Sequence, residues 1–122
     1  MNDSLLKRLN TILSGLNIPA EIGVFTDTPP DVYCVLTPLT DTLSEFADNK
    51  PSSEVQEVRI SLYCKGNYIS VKNRLTNAIL KNDITITARQ YIGLETDSGC
   101  HHYNFDAADC VRLGNFNGNY RT

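Results

Sequence analysis

The sequence predicts an α+β domain. It is expected to be a mainly antiparallel sheet with two helices packed on one face, a long exposed loop between strands and a terminal β-hairpin. Three observations carry this. Residues 4–16 and 68–81 repeat apolar side chains at helical spacing. Residues 32–39, 54–65 and 84–113 read as strands, by alternation, by continuous apolarity or by β-branched content. The two kinds of element are mixed without βαβ regularity, which gathers helices on one face of an antiparallel sheet. At 122 residues the chain has enough length for one domain with one core. That domain is placed at residues 1–113. The Gly- and Asn-rich residues 114–122 are expected to form a flexible tail.

In the first helix Leu5, Leu6, Leu9, Ile12, Leu13 and Leu16 form one apolar stripe. Asp3 or Ser4 can cap its first turn, and Gly15, Asn17 and Pro19 end it. Such a stripe reads as a helix packed on a sheet rather than a membrane-surface or partner-binding helix. A short strand is expected at residues 22–25, broken by "TDTPPD". The run "VYCVLTPL" is apolar on both parities, as a strand covered on both faces would be, and Pro38 confines itself to the end or an edge.

Residues 40–53, "TDTLSEFADNKPSS", are polar and acidic with one Pro, and read as the long exposed loop. Loops of that length in compact domains are usually functional or disordered. Next, residues 54–65 alternate, with Val58, Ile60, Leu62 and Cys64 facing one way. Gly66 and Asn67 turn the chain into the second helix, whose inner face is Val71, Leu75, Ala78 and Ile79. A strand at 84–94, the turn "ETDSG" and a returning strand at 100–113 complete the terminal hairpin.

Composition narrows the function. A net charge of −3 and a pI of about 5.2 give no electrostatic footprint for wrapping nucleic acid. No signal peptide is recognisable in "MNDSLLKRLN", and no apolar run approaches the roughly 20 residues of a membrane span. These features predict a cytoplasmic product whose four cysteines stay mostly reduced. No C-x-x-C pair and no phosphate-binding glycine motif occurs.

The stretch "ETDSGCHHYNFDAADC" concentrates both histidines and two cysteines. On a strand, His101 and His102 point to opposite faces and cannot share one ion. His102 and Cys110 would stand roughly 26 Å apart, and Cys100 and His102 about 7 Å apart along the strand. Neither spacing suits a metal site or a thiolate–imidazole pair. Catalytic residues, metal ligands and cofactors are therefore expected to be none. A second puzzle lies in the same hairpin. Ile84, Ile86, Ala88, Ala108 and Cys110 mark one buried face, whereas Tyr91, Tyr103 and Phe105 mark the other. A bulge would reconcile them. So would a neighbouring subunit covering Tyr91, Tyr103 and Phe105.

The order of features resembles the tail-completion, or tail-terminator, proteins of long-tailed bacteriophages and their prophages. The residues that carry the resemblance are "PPDVYCVLTPL", "EVRISLYCKGNYISVKNRLTNAI" and the hairpin "ARQYIGLETDSGCHHYNFDAADC". The likeness covers residues 5–111. It implies a structural virion protein, not an enzyme. Such proteins form a six-fold ring that caps the tail tube, ends its polymerisation and docks to the head connector, with DNA passing through the lumen as cargo. The implied partners are further copies of the chain, the tail tube protein and the head–tail connector proteins, with no membrane. The implied location is the neck of the virion, after assembly in the host cytoplasm. By the same analogy Asp41, Glu45 and Asp48 in the 40–53 loop would face the tube or lumen. Two alternatives stay open: another neck protein (a head-closure or adaptor ring), or a small cytoplasmic enzyme or metal-binding module using Cys100 and His102.

Overall fold

Leucine spacing decides the first element. In a computed structural model, which describes residues 4–25, 28–47 and 50–113 (backbone alone at 45–47), helix α1 runs Leu5–Gly15. The Ser4 hydroxyl accepts from the Lys7 N–H, satisfying one of the donors that a first turn leaves over. Leu5, Leu9 and Leu13 lie one above the other on a single face and are fully buried. Helix α2, Tyr68–Lys81, is capped in the same way by Asn67, and it buries Leu75 and Ile79.

Both helices stop by one device. Asn17 and Asp83 take left-handed backbone conformations, with φ of 59° and 60°. Beyond them the N–H of Ile18 reaches the Leu13 carbonyl, and that of Ile84 reaches the Ile79 carbonyl. These are the backward bonds of a Schellman ending, and in each case the two apolar side chains that accompany it are buried.

The strands are β1 (Ala20–Ile22), β2 (Val32–Ala47), β3 (Lys50–Cys64), β4 (Thr85–Glu95) and β5 (Cys100–Arg112). They form one sheet in the order β1-β2-β3-β5-β4. Only β1 and β2 run parallel; every other neighbouring pair is antiparallel. Helices α1 and α2 pack on one face of the sheet, and the fold is α+β as the sequence predicts. Between helices and sheet lies the core. Cys34 and Leu36 of β2, Val58, Ile60, Leu62 and Cys64 of β3, and Phe105 and Ala107 of β5 meet the helical leucines there. Each fully buried Leu, Ile or Phe removes enough apolar surface from water to contribute roughly 1.5–3 kcal/mol.

Two expectations need correction. The 40–53 segment is not a long exposed loop. It lies mostly within β2 and β3, which pair from Val32↔Cys64 to Ala47↔Lys50 as one long hairpin whose two strands are separated by two residues. On β2 residues 40–43 are exposed, whereas on β3 Pro51 and Ser53 are buried, so polar side chains stand on both parities and no apolar alternation reveals the strands. The short first strand lies at Ala20–Ile22 rather than at 22–25. Gly23, with φ of +83°, turns the chain away, and its N–H goes to the Leu36 carbonyl.

The bulge offered as one explanation for the mixed faces of the terminal hairpin is present, and present twice. Register shifts fall between Ile86 and Ala88 and between Tyr91 and Gly93. Each inserts one residue and flips the parity of the strand beyond it. Ile86, Arg89 and Tyr91 therefore pair with Ala107, Phe105 and Tyr103 on the helix side, while Ala88 and Gly93 fall opposite Asp106 and His102 on the other face. The expected tail, residues 114–122, lies outside the described residues.

Candidate functional site

The helix-covered face ends in an aromatic cluster at the start of α2. Tyr68 packs against Tyr91, His101 and Tyr103. A hydrogen bond of 2.9 Å joins Tyr91 Oη to His101 Nδ1. Lys72 places its ammonium 5.6 Å from the centre of the Tyr103 ring, within cation–π range. The rings of Tyr103 and Phe105 pack against each other at a tilt of 59°, and both are buried within their own chain. Phe105 is fully enclosed by its own chain, and Tyr103 keeps only a small exposed area. Of the three aromatic residues named for a subunit contact, only Tyr91 is open to solvent, at 42%.

The other face carries a ladder of rings at the same end of the sheet. Phe25, Tyr33, Tyr63 and His102 follow one another across it, with centroid separations of 4.9, 4.8 and 4.3 Å. Burial, and then the Glu95 carboxylate, hold the Tyr63 phenol above its ordinary range. The Tyr33 phenol is raised by burial, and further by Cys100, Glu95 and Tyr63. On the same face Arg59 grips Asp106 with two hydrogen bonds, Nε to Oδ1 at 2.8 Å and Nη2 to Oδ2 at 3.0 Å. That pairing raises the guanidinium pKa further.

His101 and His102 lie on opposite faces, the first among Tyr68 and Tyr91 and the second on Tyr63. Cys100 is buried, and His102 Nε2 is buried with no hydrogen-bond partner among the described residues. Cys34 and Cys64 are buried thiols. Burial first, then Cys64, pushes Cys34 up; burial first, then Cys100, pushes Cys64 up. A thiol held above its normal pKa is protonated at neutral pH and is a poor nucleophile. Among the described residues, no group of three or more His, Cys, Asp or Glu side chains converges as a metal site.

Asp41 stands on β2 level with Gln56 and is exposed. Glu45 lies farther along the same strand. Asp48 lies outside the described residues. Asp41 and Glu45 thus sit on a β arm rather than a loop.

The feature that sequence reasoning missed is the pair of sheet margins. On the β4 side Tyr91, Ile92 (47% exposed) and Leu94 (53% exposed) face water. On the β1–β2 side Ile22, Val24, Leu39 and Leu43 do so. Ile92 and Leu39 are the extra residues at register shifts, so strand parity assigns them to neither face. The available signal was the apolar run "YIGL", which no alternating strand explains.

Among the described residues no helix is long and apolar enough to cross a membrane. Compared with models of known protein families and with curated proteins, the chain matches none.

Proposed function

We propose that this chain is a structural assembly protein of a long-tailed bacteriophage, the terminator that caps the tail tube. The observation that carries the reading is the pair of uncovered apolar margins, one on each side of the sheet. Exposed apolar side chains gathered along an element mark a surface that association covers. A chain with two such margins on opposite sides is suited to join copies of itself head to tail, and that arrangement closes into rings when the rotation permits. The resemblance of residues 5–111 to tail-completion proteins supplies the rest of the reading.

In this role six copies form a ring on the finished tube. The ring stops further addition of tube protein and presents a docking surface to the head connector. The β2–β3 arm, with Asp41 and Glu45 on it, reaches toward the tube or the lumen. A net charge of −3 suits a passage that DNA crosses without adhering, because like charges repel. The role requires no cofactor, no membrane and no bond chemistry. The protein assembles in the host cytoplasm and resides at the virion neck.

Deletion of the gene in the parent phage, followed by electron microscopy of the lysate, tests this. Filled heads beside tails of uncontrolled length are expected. Tails of normal length overturn termination and point to a head-closure or adaptor ring.

A further inference from the structure

We infer that the open edge of β2 in one copy pairs, antiparallel, with the open edge of β4 in the next. The inference rests on the ring in the function proposed above and specifies how it is joined. Strand β1 borders β2 only from Cys34 to Leu36. Beyond Leu36 the outer side of β2 has no strand partner among the described residues as far as Ala47. Strand β4 is the opposite margin and pairs only with β5, so its outer side is open from Thr85 to Glu95. Each edge presents a row of backbone donors and acceptors about eleven residues long. Free edges are usually blunted by charged residues, lysine above all. Neither of these segments contains a lysine, their charges being Asp41 and Glu45 on one and Arg89 and Glu95 on the other, and Pro38 and the bulges at Leu39, Thr87 and Ile92 interrupt the rows.

Direction and register both agree with the pairing. Antiparallel steps from β2 to β3, β5 and β4 leave β4 running opposite to β2. A rotation that preserves strand sense therefore sets β4 of one copy antiparallel to β2 of the next, with helices on the same side of the joined sheet. Measured along β3, Tyr91 stands level with Leu62 and Leu94 with Cys64. Leu43 stands level with Glu54, eight positions away from Leu62, and the Leu39 bulge lies beside Val58, six positions from Cys64.

A displacement of eight residues, roughly 26 Å, an even step that keeps both sets of helices on one side, brings Leu43 level with Tyr91 and the Leu39 bulge beside Glu95, next to Leu94. The same displacement lays the two open edges fully alongside each other and carries β1 of the neighbour past the Glu95 end of β4. A constant stagger between neighbouring strands is what tilts and closes a sheet into a ring.

Light scattering over a concentration series tests this with the full chain and two variants, Ile92→Lys/Leu94→Lys and Leu39→Lys/Leu43→Lys. All four side chains are exposed, and unchanged circular dichroism and melting confirm that each variant folds. The wild-type mass is expected to rise severalfold above 13.6 kDa, while each variant alone stays monomeric. An equimolar mixture of the two should give dimers and nothing larger, since one intact β2 edge then meets one intact β4 edge. Variants that assemble like wild type overturn the edge pairing while leaving tail termination to stand on the deletion phenotype. A mixture that stays monomeric, or a wild type monomeric at millimolar concentration, also overturns it. Edge-dependent assembly combined with normal tail lengths after deletion would instead sink the terminator reading alone.

Discussion

The rings of Tyr63 and His102 lie 4.3 Å apart and within 20° of parallel, across the β3–β5 pair. His102 spends its imidazole face on a tyrosine, and its neighbour His101 is turned to the opposite side of the sheet, where it meets Tyr91. Tyr33 extends the stack onto β2, so three strands are tied at one end of the face without a helix.

The stack should be measurable as a coupling. Aromatic pairs contribute about 0.5–1.5 kcal/mol beyond the area they bury. A double-mutant cycle of Tyr63→Ala and His102→Ala, read by urea denaturation, should return an interaction energy in that range. Additive losses would show that the rings are merely adjacent.

Phe105 and Tyr91 should separate stability from assembly. Phe105 is fully enclosed by its own chain, and Phe105→Ala should cost about 3–5 kcal/mol by leaving a cavity in the core between helices and sheet. Tyr91→Ala removes one surface hydrogen bond and partial ring packing, and should cost no more than about 1 kcal/mol. Thermal melting of the two variants checks this. Comparable losses would place Tyr91 in the core after all.

Much of this fold was legible because burial writes a period into the sequence. The Leu5, Leu9, Leu13 stripe and the Val58, Ile60, Leu62, Cys64 alternation are each one-sided, and each element appears where its pattern lies. The β2–β3 arm was hidden for the converse reason. Thr40, Thr42 and Ser44 do alternate with Asp41, Leu43 and Glu45, but polar residues on both parities carry no inside-outside contrast. The clue was two turn-forming residues, Asp48 and Asn49, between β-compatible runs. The margins were illegible because bulges put Leu39 and Ile92 out of phase, and a single chain's pattern records only what that chain covers.

Arg8 should act as the clasp between three elements. From α1 its guanidinium donates to the Asp109 carboxylate on β5 and to the Asn82 carbonyl at the end of α2. The pair is partly buried, with side-chain exposures of 29% and 19%. Arg8→Met keeps the apolar stem and removes both donors. Losing hydrogen bonds to a charged group should cost about 1.5–3 kcal/mol. The denaturation midpoint should fall with little change in slope. An unchanged midpoint would mean the bonds only replace those to water.

Alkaline pH should destabilise the fold. Burial holds the Cys34 and Cys64 thiols above their ordinary value of 9.0, and the Tyr33 and Tyr63 phenols above 10.0. A group whose pKa is raised by folding keeps its proton longer in the folded chain, so the unfolded chain ionises first. Stability from these groups is therefore fully present below about pH 9 and declines as pH rises through the folded values. Denaturation under reducing conditions from pH 7 to 10.5 should show a flat contribution and then a fall beginning near pH 9. Cys34→Ala should lower stability at pH 7 through lost packing, yet flatten the alkaline slope, because the most strongly raised thiol no longer titrates. A wild-type curve that stays level or rises between pH 9 and 10.5, or a variant with the same slope as wild type, would remove Cys34 as the source.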